Sequence, residues 1–197
     1  MTAKAVIRQR IIQQRKTLPK QAYLFNNARL VKLLNNLVEI KKARHIGLYL
    51  PFKNEIDATA LTRSPSTQCH FYVPKIVKHA KKLIFTRLPS SYSRLHTNRY
   101  GITEMSRGVI RSAKQLDVVL VPLVAFDHEG RRLGMGGGYY DTTFAFKNLQ
   151  HKPRKPCLIG LAHSFQEIAS VPVDFWDISL DAIVTEKKIL YVKQKFS

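Results

Sequence analysis

Acid is the scarcest chemistry in this chain. Of 197 residues only 13 are Asp or Glu, against 33 Lys or Arg, for a formal net charge of +20. That imbalance points to an anionic partner: nucleic acid, a membrane surface or a polyanionic small molecule. The bland alternative is a solvated basic surface. Cysteine is nearly missing too. Cys69 and Cys157 stand alone, without CxxC or knuckle spacing, which excludes a disulfide framework and reads as reduced thiols in a cytosolic protein. Long apolar runs are also lacking. The longest, "VVLVPLVAF" at 118–126, is broken by a proline, whereas a spanning helix needs about 20 apolar residues. The first 16 residues scatter charge throughout and hold no apolar h-region, so no secretory signal is read there. His45, His70, His79, His96, His128, His151 and His163 form no HxxH or Cys/His set, and no zinc site is expected. A G-x-S-x-G elbow is absent.

What is present is a 45% hydrophobic chain, enough for a core. Residues 4–16 read as a helix in which Lys4, Arg8 and Arg15 share one face. A second helix is expected over 21–39, with an apolar stripe of Phe25, Ala28, Leu30, Leu34, Leu37 and Val38. Strands are expected at 45–52, 69–77, 82–88, 116–126, 157–163, 182–185 and 189–192. A helix entry is expected at 54–61, loop with one strand at 89–115, and a helix at 139–150. The run at 116–126 has the β-branched continuity of a strand covered on both faces. Strands alternating with helices define an α/β fold, a single domain over 1–197 with a mostly parallel sheet and helices on both faces.

Glycine is not abundant, but four of the nine fall in "RRLGMGGGYYD", residues 131–141. The stretch lies between the strongest strand and an expected helix, where open α/β sheets bind ligands. Its glycines permit positive φ and close approach of a ligand, and a helix start offers N–H groups to an anion. Arg131 and Arg132 add charge-assisted donors, and Asp141 is a candidate Mg²⁺ ligand. The stretch fits neither a Walker A loop nor G-x-G-x-x-G, since Tyr139 and Tyr140 occupy required positions. A phosphate-bearing ligand and a tight turn without any ligand both remain open.

Beyond these patterns, "VPLVAFDHEGRRLGMGGGYYD", "YLPFKNEIDATAL", "NRYGITE", "IGLAHSFQ" and "VPVDFWDISLDAIVTE" resemble the 5-formyltetrahydrofolate cyclo-ligase (5,10-methenyltetrahydrofolate synthetase) family. The resemblance implies a three-layer α/β/α domain akin to sugar-phosphate isomerases and CoA transferases. It also implies conversion of 5-formyltetrahydrofolate to 5,10-methenyltetrahydrofolate with ATP and Mg²⁺, through a phosphorylated formyl group. By the same resemblance Lys4, Arg8 and the run Arg132, Leu133, Gly134, Met135, Gly136, Gly137, Gly138, Tyr139 and Tyr140 contact ATP. Phe52, Glu55, Asp57, Tyr100 and the run from Met135 to Tyr139 face the folate. Asp141 and Asp177 hold the metal, and Arg132, Tyr139 and Asp141 carry the chemistry. Relatives can place basic residues where Met135 and Gly137 stand, and Arg131 is expected to compensate. A cytoplasmic monomer acting on two small polyanions is expected, with nucleic-acid binding as the rival, supported by net charge alone.

Overall fold

The computed structural model describes residues 2–64, 69–89, 95–97, 103–105, 108–149 and 155–192. In chain order, helices α1 (Ala3–Lys16), α2 (Lys20–Asn36) and α3 (Val38–Lys42) precede β1 (His45–Gly47). Strands β2 (His70–Val77), β3 (Lys82–Arg87), β4 (Leu95–Thr97), β5 (Thr103–Met105) and β6 (Ile110–Arg111) follow. Next come β7 (Val118–Pro122), β8 (Ala125–Phe126), β9 (Arg132–Leu133) and helix α4 (Tyr139–Phe144). Strands β10 (Cys157–Leu161), β11 (Ala182–Val184) and β12 (Ile189–Tyr191) complete the described elements.

Eight strands form one sheet in the order β12-β11-β10-β7-β1-β2-β3-β6. The five from β11 to β2 are mutually parallel. Antiparallel hairpins close both sides, β12 on β11 and β3 on β2, with β6 beyond β3. The expected α/β class with a mostly parallel sheet is therefore found. Residues along β7 alternate between faces. Val118 and Leu120 join Leu30, Leu34 and Ile40 from α2 and α3, while Val119 and Val121 join Phe144 from α4. Each such side chain contributes about 1.5–3 kcal/mol on burial. Two carboxylates tie the parallel strands. Asp117 Oδ2 accepts the N–H groups of Arg44 and His45, and Asp117 Oδ1 takes Lys155 Nζ at 2.6 Å. Asp181 Oδ2 accepts Leu158 N–H at 2.7 Å and Lys147 Nζ at 3.2 Å.

Several expected boundaries are corrected. Strand β1 stops at Gly47 rather than residue 52. Beyond it Pro51 lacks an N–H, and Lys53 and Asn54 adopt φ of 49° and 57°, so the chain turns out of the sheet. The helix expected over 21–39 breaks at Leu37, whose ψ is 132°. Its stripe also narrows: Leu30, Leu34 and Leu37 are buried, but Phe25 and Val38 are exposed, and Arg29 lies over the Phe25 ring. The helix entry at 54–61 is a 3-10 turn over Thr59–Arg63. Among the described residues of the segment 89–115 there are three short strands instead of one, each too short to leave a period in the sequence. The helix expected at 139–150 is α-helical only to Phe144 and continues as a 3-10 turn over Ala145–Asn148.

Candidate functional site

Sheet order changes direction between β1 and β7: the chain runs outward through β2, β3 and β6, then returns to β7. Ligands of open α/β sheets settle at such a reversal, outside the carboxyl ends of the strands. A cavity of about 620 Å³ lies there. Tyr49, Leu50 and Phe52 after β1, Pro122 and Leu123 at the end of β7, and Pro74, Ile76 and Leu83 from the β2–β3 hairpin make its apolar wall.

The glycine stretch forms the facing wall, and the preceding hairpin explains its aim. Strands β8 and β9 pair antiparallel around a turn organised by Asp127, a fully buried carboxylate. It accepts the N–H groups of Glu129, Arg131 and Val171. It also takes Arg131 Nε at 2.7 Å, and Glu129 takes Arg131 Nη1 at 3.2 Å. Arg131 is thus held away from the cavity by two carboxylates, and the expected compensation by Arg131 is not found. The next residue on the strand points the other way. Arg132, 7% exposed, lines the cavity and donates from Nη2 to Asp141 Oδ1 at 2.7 Å. Gly136 and Gly138 then take φ of 95° and 69°, a region open to glycine at no steric cost. Gly138 caps α4, so the chain reverses directly into Tyr139, Tyr140 and Asp141.

Helix α1 brings cations from the other side. Its inner face carries Lys4, Arg8, Ile11 and Arg15 at spacings that share one stripe. Ile11 packs with Val124, Ala125 and Leu133 of the hairpin, which seats the helix. Arg8 Nε donates to Gly134 O at 2.8 Å. Lys4 Nζ donates to Asp174 Oδ2 at 2.7 Å and to Asp177 Oδ2 at 3.0 Å. Partial burial pulls the Lys4 ammonium down, but the two carboxylates outweigh it and hold its pKa above the ordinary lysine value. All three cations line the cavity with Asp141, Asp174 and Asp177.

At the apolar wall, the positive-φ pair Lys53 and Asn54 folds the chain so that Glu55 Oε2 accepts Phe52 N–H at 3.2 Å. Glu55 lines the cavity beside Phe52. Burial pushes its carboxyl pKa up, against the opposing charge of Arg15. Burial likewise raises the phenols of Tyr49 and Tyr140, so both stay neutral hydrogen-bonding groups.

Of the residues singled out from the sequence, Lys4, Arg8, Phe52, Glu55, Arg132 through Asp141 and Asp177 all border this cavity. Asp57 does not. Its carboxylate caps the 3-10 turn through Thr59 N–H at 2.7 Å. Tyr100 lies outside the described residues. Sequence reasoning missed Tyr49, Leu50, Pro74, Ile76, Leu83, Pro122, Leu123, Asp174 and Trp176. The one available signal was "DFWD", where Asp174 and Asp177 stand three apart around the sole tryptophan. Trp176 is half exposed and meets Phe175 edge-on at 4.5 Å.

A mostly parallel sheet, a cavity at its reversal point, and a glycine loop faced by three cations and three aspartates define an α/β fold with a built candidate active site. The model of the 5-formyltetrahydrofolate cyclo-ligase family matches residues 1–186, and the chain belongs to that family. It is 39% identical over 150 residues to a 5-formyltetrahydrofolate cyclo-ligase of Haemophilus influenzae, covering 74% of this chain and 77% of that one. With the enzyme of the same name from Escherichia coli K12 it is 37% identical, covering 75% and 80%. Among solved structures, a 5,10-methenyltetrahydrofolate synthetase of Aquifex aeolicus superposes with a TM-score of 0.83 at 31% identity, covering 100% of this chain and 96% of that one. One from Mycoplasma pneumoniae gives 0.73 at 26%, covering 94% and 99%.

Proposed function

We propose that this enzyme converts 5-formyltetrahydrofolate to 5,10-methenyltetrahydrofolate, consuming ATP and releasing ADP and phosphate, with Mg²⁺ as the metal. The observation that carries the reading is one cavity with two unlike walls. A glycine loop with Lys4, Arg8 and Arg132 faces an apolar wall bearing Phe52 and Glu55. The first suits a triphosphate, and the second suits a flat heteroaromatic ring with N–H donors.

In this mechanism the N5-formyl oxygen attacks the γ-phosphorus as the bond to the β-phosphate oxygen breaks, and ADP leaves. N10 then attacks the formyl carbon of the imidate phosphate. The carbon–oxygen bond breaks, phosphate leaves with its electrons, and N10 loses its proton as the methenyl bridge closes. Activation is needed because an amide oxygen leaves poorly and phosphate leaves well. No covalent enzyme intermediate is required, so the side chains position the reactants and neutralise charge. Arg132 sits at the loop's entry as the cation for the transferring phosphoryl group. Arg8 holds the loop by Gly134 O, and Lys4 serves the outer phosphates. Tyr139 and Met135 border both ligands. Phe52 stacks on the pterin while Glu55 accepts its N–H donors.

The donor set fits Mg²⁺. The hydrogen bonds of Asp141 and Asp177 use Oδ1 and Oδ2 respectively, leaving the other oxygen of each carboxylate for a cation. Among the described residues no three His, Cys, Asp or Glu side chains converge. Mg²⁺ needs no such cage, because one or two carboxylates, phosphate oxygens and water complete its shell. Bound there, the metal supplies charge neutralisation at the phosphate oxygens.

No helix among the described residues is long and apolar enough to cross a membrane, and we read the protein as a single-domain cytoplasmic monomer. Purified protein with 5-formyltetrahydrofolate, ATP and Mg²⁺ should show ATP-dependent growth of the near-ultraviolet absorbance of methenyltetrahydrofolate. No growth with intact folate refutes the assignment.

A further inference from the structure

Arg15 is a costly residue to bury. It lies in the last turn of α1 with 0% exposure, among the largest fully buried side chains. Its charge faces the Glu55 carboxylate at 3.5 Å, from Nη1 to Oε1. That distance makes an ion pair but a poor hydrogen bond. None of its Nε, Nη1 and Nη2 atoms has a hydrogen-bond partner among the described residues. A guanidinium carries five N–H donors, and burying it without partners is costly. Arg15 stands behind one carboxylate, and that carboxylate lines the cavity.

The two residues are tied through the backbone as well. Asn54 Nδ2 donates to Arg15 O at 3.1 Å, which fastens the end of α1 to the turn that presents Glu55. Several other described groups near Glu55 are committed or neutral. From α2, Tyr23 OH donates to Glu55 O at 3.3 Å. Tyr49 OH donates to Ile56 O at 2.7 Å. Asp57 caps Thr59. Tyr140 from α4 is a buried neutral phenol. His163, stacked on Phe165, lies against Asn54 O, and burial lowers its pKa.

We propose that Arg15 is the positioning residue of the folate subsite: its buried charge faces Glu55 and keeps that carboxyl group directed at the N–H donors of the ligand's ring. The inference rests on the reading that the apolar wall takes the folate. Burial alone drives Glu55 toward its neutral, donating form, and Arg15 opposes that drive. A carboxylic acid accepts hydrogen bonds less well than a carboxylate, so without Arg15 the subsite loses its acceptor. One helix face then serves both ligands, with Lys4 and Arg8 toward phosphates and Arg15 toward the ring.

The test measures binding of 5-formyltetrahydrofolate alone, by calorimetry across a pH series, in Arg15→Met, Arg15→Lys and Glu55→Gln. In the wild type, affinity falls as acid protonates Glu55. In Arg15→Met this acid limb moves to higher pH, and affinity on the acid side of both limbs drops about tenfold for each unit of movement. The affinity for a non-hydrolysable ATP analogue stays the same. Arg15→Lys keeps the limb near its wild-type place. Glu55→Gln removes the limb, and adding Arg15→Met to it changes folate affinity no further. The proposal is overturned if Arg15→Met leaves affinity and limb unchanged, or weakens folate and nucleotide equally, or still weakens folate on the Glu55→Gln background. Should Arg15→Met not fold, an Arg15→Lys protein whose acid limb moves to higher pH with folate affinity lost would equally overturn it. A wild type that binds no folate overturns the functional reading itself, a result distinct from all of these.

Discussion

Replacing Arg132 by alanine tests the site at its centre. The side chain is 5% exposed and its Nη2 donates to Asp141 Oδ1 at 2.7 Å. The truncation removes one charge-assisted donor from the cavity wall without stranding Asp141, which keeps the Ile178 N–H at 3.3 Å and is 20% exposed. The fold should therefore survive, with a loss of about 1–2 kcal/mol. Catalysis should suffer more. A charged hydrogen bond to a transferring phosphoryl group is worth about 2–3 kcal/mol in a water-poor site, which converts to a roughly 30- to 150-fold fall in kcat/KM. Arg132→Lys restores charge but not the planar fork and should fall between. The assay is methenyltetrahydrofolate formation under saturating Mg²⁺, beside a thermal melt. Wild-type turnover in a folded Arg132→Ala protein would remove Arg132 from the mechanism. An unfolded variant would instead mean that the Asp141 pair is structural.

Three further outcomes follow from other parts of the molecule. Asp117 is pushed up by burial, but Lys155 and the N–H groups of Arg44 and His45 outweigh this and hold its pKa below the ordinary value. Its contribution is therefore present above the unfolded pKa and lost as pH falls through the folded one. Asp117→Asn should cost about 1 kcal/mol at neutral pH, allowing for the exposed Lys155, and chemical denaturation should show the gap closing in acid; a gap independent of pH contradicts the linkage. A Cβ on Gly160 would stand 2.5 Å from Leu180 Cδ1 and 2.8 Å from Leu123 Cδ2. Gly160→Ala should thus destabilise by about 1–3 kcal/mol through overpacking, read as a lower denaturant midpoint at unchanged slope. Trp176 is the only tryptophan and borders the cavity next to Asp177. Its emission should change saturably on adding ATP with Mg²⁺, and an unaltered spectrum at saturating nucleotide would place the triphosphate elsewhere.

Much of the site was legible because its parts are local. Glycines at 134, 136, 137 and 138 announce a special backbone, and two of them do take positive φ. The spacing of Lys4, Arg8 and Arg15 announces one helix face, and the β-branched run of β7 announces a strand covered on both sides. Family likeness added Phe52, Glu55 and Asp177, which the residue pattern alone would have left as core or caps. Two neighbouring arginines show where this legibility stops. Nothing in "RRLG" separates Arg131 from Arg132; a hairpin turn around buried Asp127 does.

The sequence by itself determined the class of fold and the place of the glycine loop within it. These are written in periodicity and glycine placement, which neighbouring residues express together. Only the tertiary structure decided which charges meet. Arg8 reaches Gly134 across 126 residues, and Lys4 reaches Asp177 across 173. Arg15 is buried against Glu55 because α1 is seated on the β8–β9 hairpin by Ile11. Such pairings depend on how elements pack rather than on what stands nearby in the chain, so no local pattern records them.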